Sequence, residues 1–462
     1  MQQAQASTTR GHPARYPARI TRIVSLTALL VAAVYGLMSM SYPVSLVLVK
    51  IPLSAQLVIH AVSERFVLGD AQAIQQAIVN YTRAFAGISL HTALGGLSLL
   101  LCAVQFVPAI RRRAPALHRA VGKVAVLAII LAMVGAVIFL SKTPARDVFS
   151  GEPFAAALWV QAVSVLMTLG LAIKAIRERQ IRAHMGWMAL LFSALLTAPL
   201  LRIEYMVFGN LMPGFNLVQV NAGIAVILMP QTVWLMSLWM NHIGHADLSL
   251  LRPHPTLHWP AIRALGWMGA ATVLHEGLLA PMGFDLVSHW RGNTEPLPMI
   301  AALWALPTAV LLPRIHGELQ AVTRHQAISE RTLALGGVAA IGAGLVSLQL
   351  PAHDHNQIGR LFYWGGSAAL GLGVCVAGLI WRKALPVHTP LRTLSLMSWL
   401  MPALWAPTAW ALSLTGWPAS AVITATLTLN GGFVMWHGFA SAFGLPMPGV
   451  PAAAQQTGES VA

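Results

Sequence analysis

Apolar runs of about twenty residues recur along this chain, and they constrain its fold more than any other feature. A helix of that length crosses the hydrocarbon core of a bilayer, whereas the strands of a membrane barrel are short segments of alternating polarity. Only 9% of the residues are charged and 56% are hydrophobic, which leaves too few polar groups to cover a water-facing surface. The pattern predicts an all-α fold, a polytopic transmembrane helical bundle.

Twelve such runs predict about twelve helices in two six-helix halves. The first half is predicted over residues 20–240, with runs near 20–41, 85–108, 116–141, 154–175, 184–208 and 216–240. The second half is predicted over residues 262–440, with runs near 262–281, 298–313, 331–350, 360–381, 392–413 and 419–440. Residues 241–261 are interpreted as a cytoplasmic linker, and 1–19 and 441–462 as cytoplasmic tails. No internal repeat relates the two halves.

Lysine and arginine are distributed unevenly between the two sides of the predicted membrane. With the N-terminus inside and the helices alternating, 21 of the 29 Lys and Arg residues fall on inner segments. Cytoplasmic loops of helical membrane proteins carry such an excess. The bias predicts a multi-pass protein of the bacterial inner membrane with both termini in the cytoplasm. It also accounts for the net charge of +15, so the predicted partner is the lipid bilayer and not nucleic acid.

The longest outer loop is predicted over residues 42–84. Its stretch VSLVLVKIPLSAQLVIHAVSERF is rich in apolar residues, although it is interrupted by a few polar and charged ones. An apolar segment between two membrane helices can bury one face in the headgroup region. We therefore expect this loop to lie at the membrane surface.

Three histidines of the first half lie near the starts of predicted helices. His91 follows the start of the second helix on the outer side, while His118 and His184 open the third and fifth helices on the inner side. Because these two helices run in the same direction, the imidazoles of His118 and His184 face one another if the helices are neighbours. Two facing imidazoles in a helical bundle are a bis-histidine haem site. The alternative is that they only flank basic inner loops.

The stretch from His91 to His184 resembles a bacterial family of predicted membrane proteins, domain of unknown function 2306. The resemblance is carried by the segments HTALGGLSLLLCAVQF, RRRAPALHRAVGK and IRERQIRAHMGWM. It covers the first half only, over roughly residues 60–210. The family implies a membrane location and no particular activity.

The segments SLHTALG and APALHRAVGK also resemble helix starts of the eukaryotic cytochrome b561 proteins. In that family, histidines at such helix starts ligate haem b and pass electrons across the membrane. The resemblance implies that His91 and His118 are ligands of two separate haems. The partner histidines on two further helices have no match in this sequence.

Two pairs of ionisable residues lie within predicted helices. Arg202 and Glu204 are near the outer end of the fifth helix, and at positions i and i+2 they do not face one another. We expect them to extend to the outer interface, as charged side chains near helix ends do. His275 and Glu276 are in the seventh helix and do not form an HExxH motif, so we expect a hydrogen-bonded polar pair between helices.

A short predicted outer loop contains the sequence His353-Asp354-His355. Two imidazoles and a carboxylate can hold zinc or copper, which makes His353 and His355 a weak candidate metal site. The chain contains no P-loop, no GxSxG motif and no dinucleotide-binding glycine motif followed by an acidic residue. Nothing in the sequence therefore indicates a nucleotide site or a serine hydrolase.

The sequence is compatible with three functions. The first is a haem-b-binding electron-transfer protein with His91, His118 and His184 as candidate ligands and a quinol or another redox partner. The second is a transporter or channel for a small solute, since twelve helices in two halves suit that architecture. The third is a membrane assembly protein without catalytic chemistry. Helices that begin with histidine beside glycine favour the first.

Overall fold

A computed structural model describes most of the first half and several segments of the second. The described residues are 18–48, 51–221, 223–224, 259–287, 298–323, 329–347, 366–367, 370–371, 373–374, 377–378, 404–418 and 421–430. Within these ranges every regular element is a helix, which confirms the predicted all-α membrane fold.

Five long helices and five short ones are bounded within the described part of the first half, and residues 217–221 and 223–224 are also helical. The long helices are α1 (Ala18–Met40), α6 (Phe85–Gln105), α8 (Pro115–Lys142), α9 (Glu152–Arg177) and α10 (Ile181–Leu211). The short helices are α2 (Tyr42–Leu48), α3 (Leu53–Ala61), α4 (Glu64–Leu68), α5 (Ala71–Arg83) and α7 (Pro108–Arg113). A 3₁₀ turn covers Ala145–Asp147. Helix α8 begins at Pro115, where the missing amide hydrogen costs no helical hydrogen bond.

The described part of the second half consists of further apolar helices. They are α11 (Trp259–Leu274), which continues as a π-helical turn over His275–Leu279, α12 (Pro298–Thr323) and α13 (Glu330–Ser347). Two more helical segments cover 404–413 and 421–430. Buried residues of this half, including Leu311, Leu312 and Leu333, belong to the same hydrophobic core as the first half.

Four helices in the described residues are long and apolar enough to cross a membrane. They span Phe85–Gln105, Pro115–Lys142, Phe154–Arg177 and His184–Leu211. A fifth span is obtained if Leu26–Met40 and Tyr42–Leu48, which are bent by 43° at their junction, are counted as one. The chain is therefore a multi-pass membrane protein, and the number twelve stays a prediction.

Glycines bring three of the long helices into close contact. A Cβ atom built on Gly135 of α8 would lie 2.5 Å from the backbone nitrogen of His91 and 2.7 Å from the carbonyl oxygen of Gly87 on α6. On the other side of α6, a Cβ on Gly36 of α1 would lie 2.8 Å from the carbonyl oxygen of Gly96. Small residues allow membrane helices to approach closely in this way. The packing fixes the position of His91 between α1 and α8.

The predicted outer loop folds into short helices that pack against the bundle, and its place at the membrane surface stays a prediction. Helices α3, α4 and α5 are here called the cap. Ser63 caps the N-terminus of α4 and Asp70 caps that of α5, and their side chains accept backbone hydrogen bonds at 3.1 and 3.0 Å. Val58, Phe66 and Val67 of the cap are buried in the core of the first half. The cap closes one end of the bundle, the cap end. The other end carries the arginines of α7 and is called the basic end.

Candidate functional site

A cavity of about 390 Å³ lies inside the first half, beneath the cap. Nine of the helices described above contribute lining residues: α1, α2, α3, α4, α5, α6, α8, α9 and α10. Most of the lining side chains are apolar, and the polar ones include Tyr35, Tyr81, His91, Gln161 and Arg202. A volume of this size is within the range of about 300 to 1,000 Å³ that small-molecule sites occupy.

Arg202 is the one charged side chain among the described residues that line the cavity, if His91 is taken as neutral. Its guanidinium carbon lies 5.6 Å from the ring centre of Tyr35 and 5.8 Å from that of Tyr205. These are cation–π distances. The expectation that Arg202 extends to the interface is therefore wrong, because two tyrosine rings hold its side chain inside the bundle.

No ion pair joins Arg202 to a carboxylate within the described part of the chain. The nearest acidic residue in sequence, Glu204, is two positions along α10 and therefore on another face of the helix. The hydrogen bond found for the guanidinium is a long one, 3.4 Å from Nη1 to the carbonyl oxygen of Ala198. The cavity thus contains an arginine whose charge no described acidic group balances.

Tyrosines from separate elements surround this arginine. Tyr42 and Tyr81 pack edge to face, with ring centres 6.1 Å apart. Tyr81 also packs against Phe139 of α8 with ring centres 5.7 Å apart. Burial raises the pKa of the Tyr81 hydroxyl in the cap, so this phenol stays neutral and can donate a hydrogen bond. The aromatic lining therefore adds neutral hydroxyl donors beside the guanidinium.

His91 lines the same cavity from α6. Its Nδ1 lies 3.0 Å from the carbonyl oxygen of Ala132 on α8, so Nδ1 carries the hydrogen and donates it. Nε2 of His91 is then an acceptor in the neutral ring.

Gln161 of α9 also lines the cavity. Its amide nitrogen donates to the carbonyl oxygen of Ala194 at 2.8 Å, while its amide oxygen, Oε1, is buried without a partner among the described residues. The cavity thus offers acceptors as well as donors.

A hydrogen-bond network closes the cavity beside Tyr205. The Tyr205 hydroxyl donates to Oδ1 of Asn221, and Nδ2 of Asn221 donates to Oγ of Ser150 at 2.8 Å. Ser150 in turn donates to the carbonyl oxygen of Val218 at 2.8 Å. Ser150 has a φ of 71°, in the left-handed region that non-glycine residues seldom adopt, so these bonds hold an unfavourable turn before α9.

Replacing Asn221 with alanine should destabilise the protein by about 2 kcal/mol, because the buried Tyr205 hydroxyl and the Ser150 turn lose their shared partner. The effect is measured as a lower midpoint of thermal unfolding in detergent. Asn210→Ala is the control, since Asn210 is exposed and bonds only to backbone carbonyls. Equal midpoints for the two variants would contradict the role of the network.

His118 of α8 and His184 of α10 are both at the basic end, and their facing one another across neighbouring helices stays a prediction. The two side chains are close enough to interact electrostatically, and Arg111 and Arg119 also act on His118. Nδ1 of His184 lies 2.9 Å from the carbonyl oxygen of Ala172 on α9, which makes Nδ1 the donor and leaves Nε2 as an acceptor. Nδ1 of His118 is buried and has no hydrogen-bond partner among the described residues.

Gln105 lies one turn above this pair. A Cβ atom built on Gly122 would meet only the Gln105 side chain, at 3.5 Å from Oε1. Because Gly122 follows His118 by one helical turn, the glutamine lies against the same face of α8. The surface of α8 beside the two imidazoles is therefore uncrowded.

The pair His275 and Glu276 is hydrogen-bonded, but on one π-helical turn and not between two helices. Nδ1 of His275 donates to Oε1 of Glu276 at 2.9 Å, and Nε2 accepts from the backbone nitrogen of Leu286 at 3.0 Å. Both side chains are buried. The candidate metal ligands His353 and His355 lie outside the described residues, as do residues 241–258 of the predicted linker; the last three linker positions, 259–261, belong to α11. No group of three or more possible metal ligands occurs in the described ranges.

Residues 88–243 match the family described as Predicted membrane protein (DUF2306). The predicted resemblance is thereby confirmed. The DUF2306 segment runs from α6 through α10 and contains His91, His118, His184 and Arg202. Tyr35, Tyr42, Tyr81 and the cap precede it, so the cavity combines residues from inside and outside the segment.

No curated protein and no solved structure matches the chain. The resemblance to the cytochrome b561 proteins therefore stays a prediction. The tyrosines, Gln161 and Asn221 were not among the predicted site residues, because single polar residues in apolar runs carry no signal of a shared cavity.

Proposed function

We propose that the first half binds haem b between His118 and His184 and acts as an electron-transfer protein of the membrane. The observation that supports this function is that His118 of α8 and His184 of α10 are close enough at the basic end to interact electrostatically. Bis-histidine ligation of haem in a helical bundle needs two neutral imidazoles on facing helices.

The surroundings of the two histidines suit this cofactor. Nδ1 of His184 is bonded to the carbonyl oxygen of Ala172, so Nε2 would be left to bind the iron. Metal-ligating histidines usually donate a hydrogen bond from their other ring nitrogen in this way. Gly122 adds no side chain to α8 near the pair, and the atoms that a Cβ there would meet belong to the Gln105 side chain. Arg111 and Arg119, which act electrostatically on His118, supply positive charge for the haem propionates.

Bound haem would supply one-electron chemistry, and the chain would hold it, shield it from water and set its potential through these neighbours. A quinol or another redox partner would supply the electrons. His91 is assigned to the cavity at the cap end, so we propose one haem in the first half.

The experiment is an absorption spectrum of the purified chain, oxidised in air and then reduced with dithionite. We expect sharp b-type bands in the reduced protein, lost in His118→Ala and in His184→Ala. His60→Ala and His91→Ala should keep the bands: His60 is exposed and bonded within its own helix, and His91 lies in the cavity. Bands that survive both His118→Ala and His184→Ala would overturn the assignment.

The second candidate is a carrier of a small solute, and the internal cavity is the observation that favours it. A colourless protein from cells given ample haem precursor would make this function primary. Uptake into vesicles that contain the purified chain, compared with vesicles without it, then becomes the test.

A further inference from the structure

The charge of Arg202 has no counter-ion among the described residues. A charged side chain inside a membrane protein is costly and is normally paired or placed in a functional cavity. The cation–π contacts with Tyr35 and Tyr205 offset part of this cost. A bound anion would supply the missing charge.

The guanidinium also has hydrogen-bonding capacity to spare. It carries five N–H donors in a planar fork, and the bond to Ala198 at 3.4 Å uses one of them weakly. Planar or tetrahedral groups with two anionic oxygens match this fork, as carboxylate and phosphate do. Neighbouring tyrosine hydroxyls provide further donors.

The rest of the cavity is apolar. The lining comes mainly from aliphatic and aromatic side chains, among them Leu99, Ile129, Met133, Phe139, Leu158 and Val165. A small water-soluble anion would leave these surfaces without a partner. A ligand with a hydrocarbon tail would bury them, at about 25 cal/mol per Å² of apolar surface removed from water.

From the arginine at one point of a mainly apolar cavity, we propose that this cavity binds an amphiphile with an anionic head group and a hydrocarbon tail. The shared chemistry is a pair of anionic oxygens, from a carboxylate or from a phosphate. Arg202 binds the head group, the tyrosines surround it, and the tail occupies the apolar part between α6, α8 and α9. The proposal does not depend on haem at the basic end.

The test uses the full chain in a non-ionic detergent and three radiolabelled probes with the same tail: dodecanoate, dodecyl phosphate and dodecanol. The probes share their tail and differ in charge. We expect the wild-type protein to bind the better of the two anions about tenfold or more tightly than the alcohol, as a charge-assisted contact predicts. The preferred anion distinguishes a fatty acid from a phosphate-bearing lipid as the source.

Three variants locate the effect. Arg202→Gln should lose the preference for the anion, and Arg202→Lys should keep part of it because it keeps the charge but not the fork. Arg83→Gln is the matched control, since Arg83 is an exposed arginine at the end of α5. It removes the same charge outside the cavity and should bind like the wild type.

A wild-type protein that binds dodecanol as tightly as both anions would overturn the proposal, and this comparison needs no variant to fold. An Arg202→Gln protein that keeps the full anion preference would also overturn it. Ligand binding is read by radioactivity and haem by absorbance, so each proposal can fail without the other.

Discussion

Replacing Gly135 with valine should destabilise the protein by about 3 kcal/mol or more. A Cβ at this position would lie 2.5 Å from the nitrogen of His91 and 2.7 Å from the carbonyl oxygen of Gly87, both backbone atoms of α6. A flexible side chain could move away, but a helix backbone cannot, so α6 and α8 must separate. We expect a lower yield of folded protein and a lower midpoint of thermal unfolding.

Gly170→Val is the matched control for this change. Gly170 is exposed on α9, and a Cβ built there meets nothing within 4 Å. We expect its midpoint to stay close to that of the wild type, within about 0.5 kcal/mol. Because Gly135 also positions His91, the Gly135→Val protein that does fold should bind the anionic amphiphile less tightly. Similar midpoints for the two variants would show that the helices are not packed through Gly135.

The second large effect is expected in the second half, from Trp304→Ala. Trp304 is fully buried, stacks on Trp405 with ring centres 6.1 Å apart, and donates from Nε1 to Oγ of Ser347 at 2.7 Å. Removing a buried tryptophan leaves a large space, and the Ser347 hydroxyl loses one hydrogen-bond donor while keeping its bond to the carbonyl oxygen of Ala343. Such a change costs about 3 to 5 kcal/mol. The measurement is unfolding of the purified chain in mixed micelles of a mild and a denaturing detergent.

Trp267→Ala provides the comparison for Trp304→Ala. Trp267 belongs to α11 and is 72% exposed, so its removal takes away little packing. We expect a change of about 0.5 kcal/mol or less. A loss of stability as large in Trp267→Ala as in Trp304→Ala would mean that the face of α11 carrying Trp267 is itself buried in the native protein.

The two proposed sites lie toward opposite ends of the same helices. Arg202 follows His184 on α10 by enough residues to separate them by about 27 Å along the helix axis. That distance is close to the thickness of the hydrocarbon core, about 30 Å. A ligand at the cap end and a haem at the basic end would thus occupy the two sides of one bundle, and the two binding experiments examine each side separately.

The positions of the long helices could be predicted closely from the sequence. The runs near 85–108, 116–141 and 154–175 correspond to α6, α8 and α9 within a few residues. This succeeds because the length and polarity of a membrane helix are local properties of the chain. The histidines at the starts of α8 and α10 could be placed for the same reason.

The cavity could not be predicted, because it depends on contacts between distant parts of the chain. Tyr35 and Arg202 meet only when α1 packs beside α10, and Tyr81 joins them only when the cap folds back over the bundle. Arg202 by itself resembles any arginine near the end of a membrane helix. Its enclosure by aromatic rings is what distinguishes a binding site from an interfacial anchor.

The sequence alone thus determined that this chain is a helical membrane protein, where its long helices run, and which histidines open them. Apolar length and helix-terminal residues act over one or two turns, so no tertiary information is needed for these features. Only the tertiary structure decided which polar groups share a space, since that depends on how closely α1, α6 and α8 approach through Gly36, Gly96 and Gly135. Helix contacts of this kind join residues far apart in sequence, and a hydropathy pattern carries no record of them.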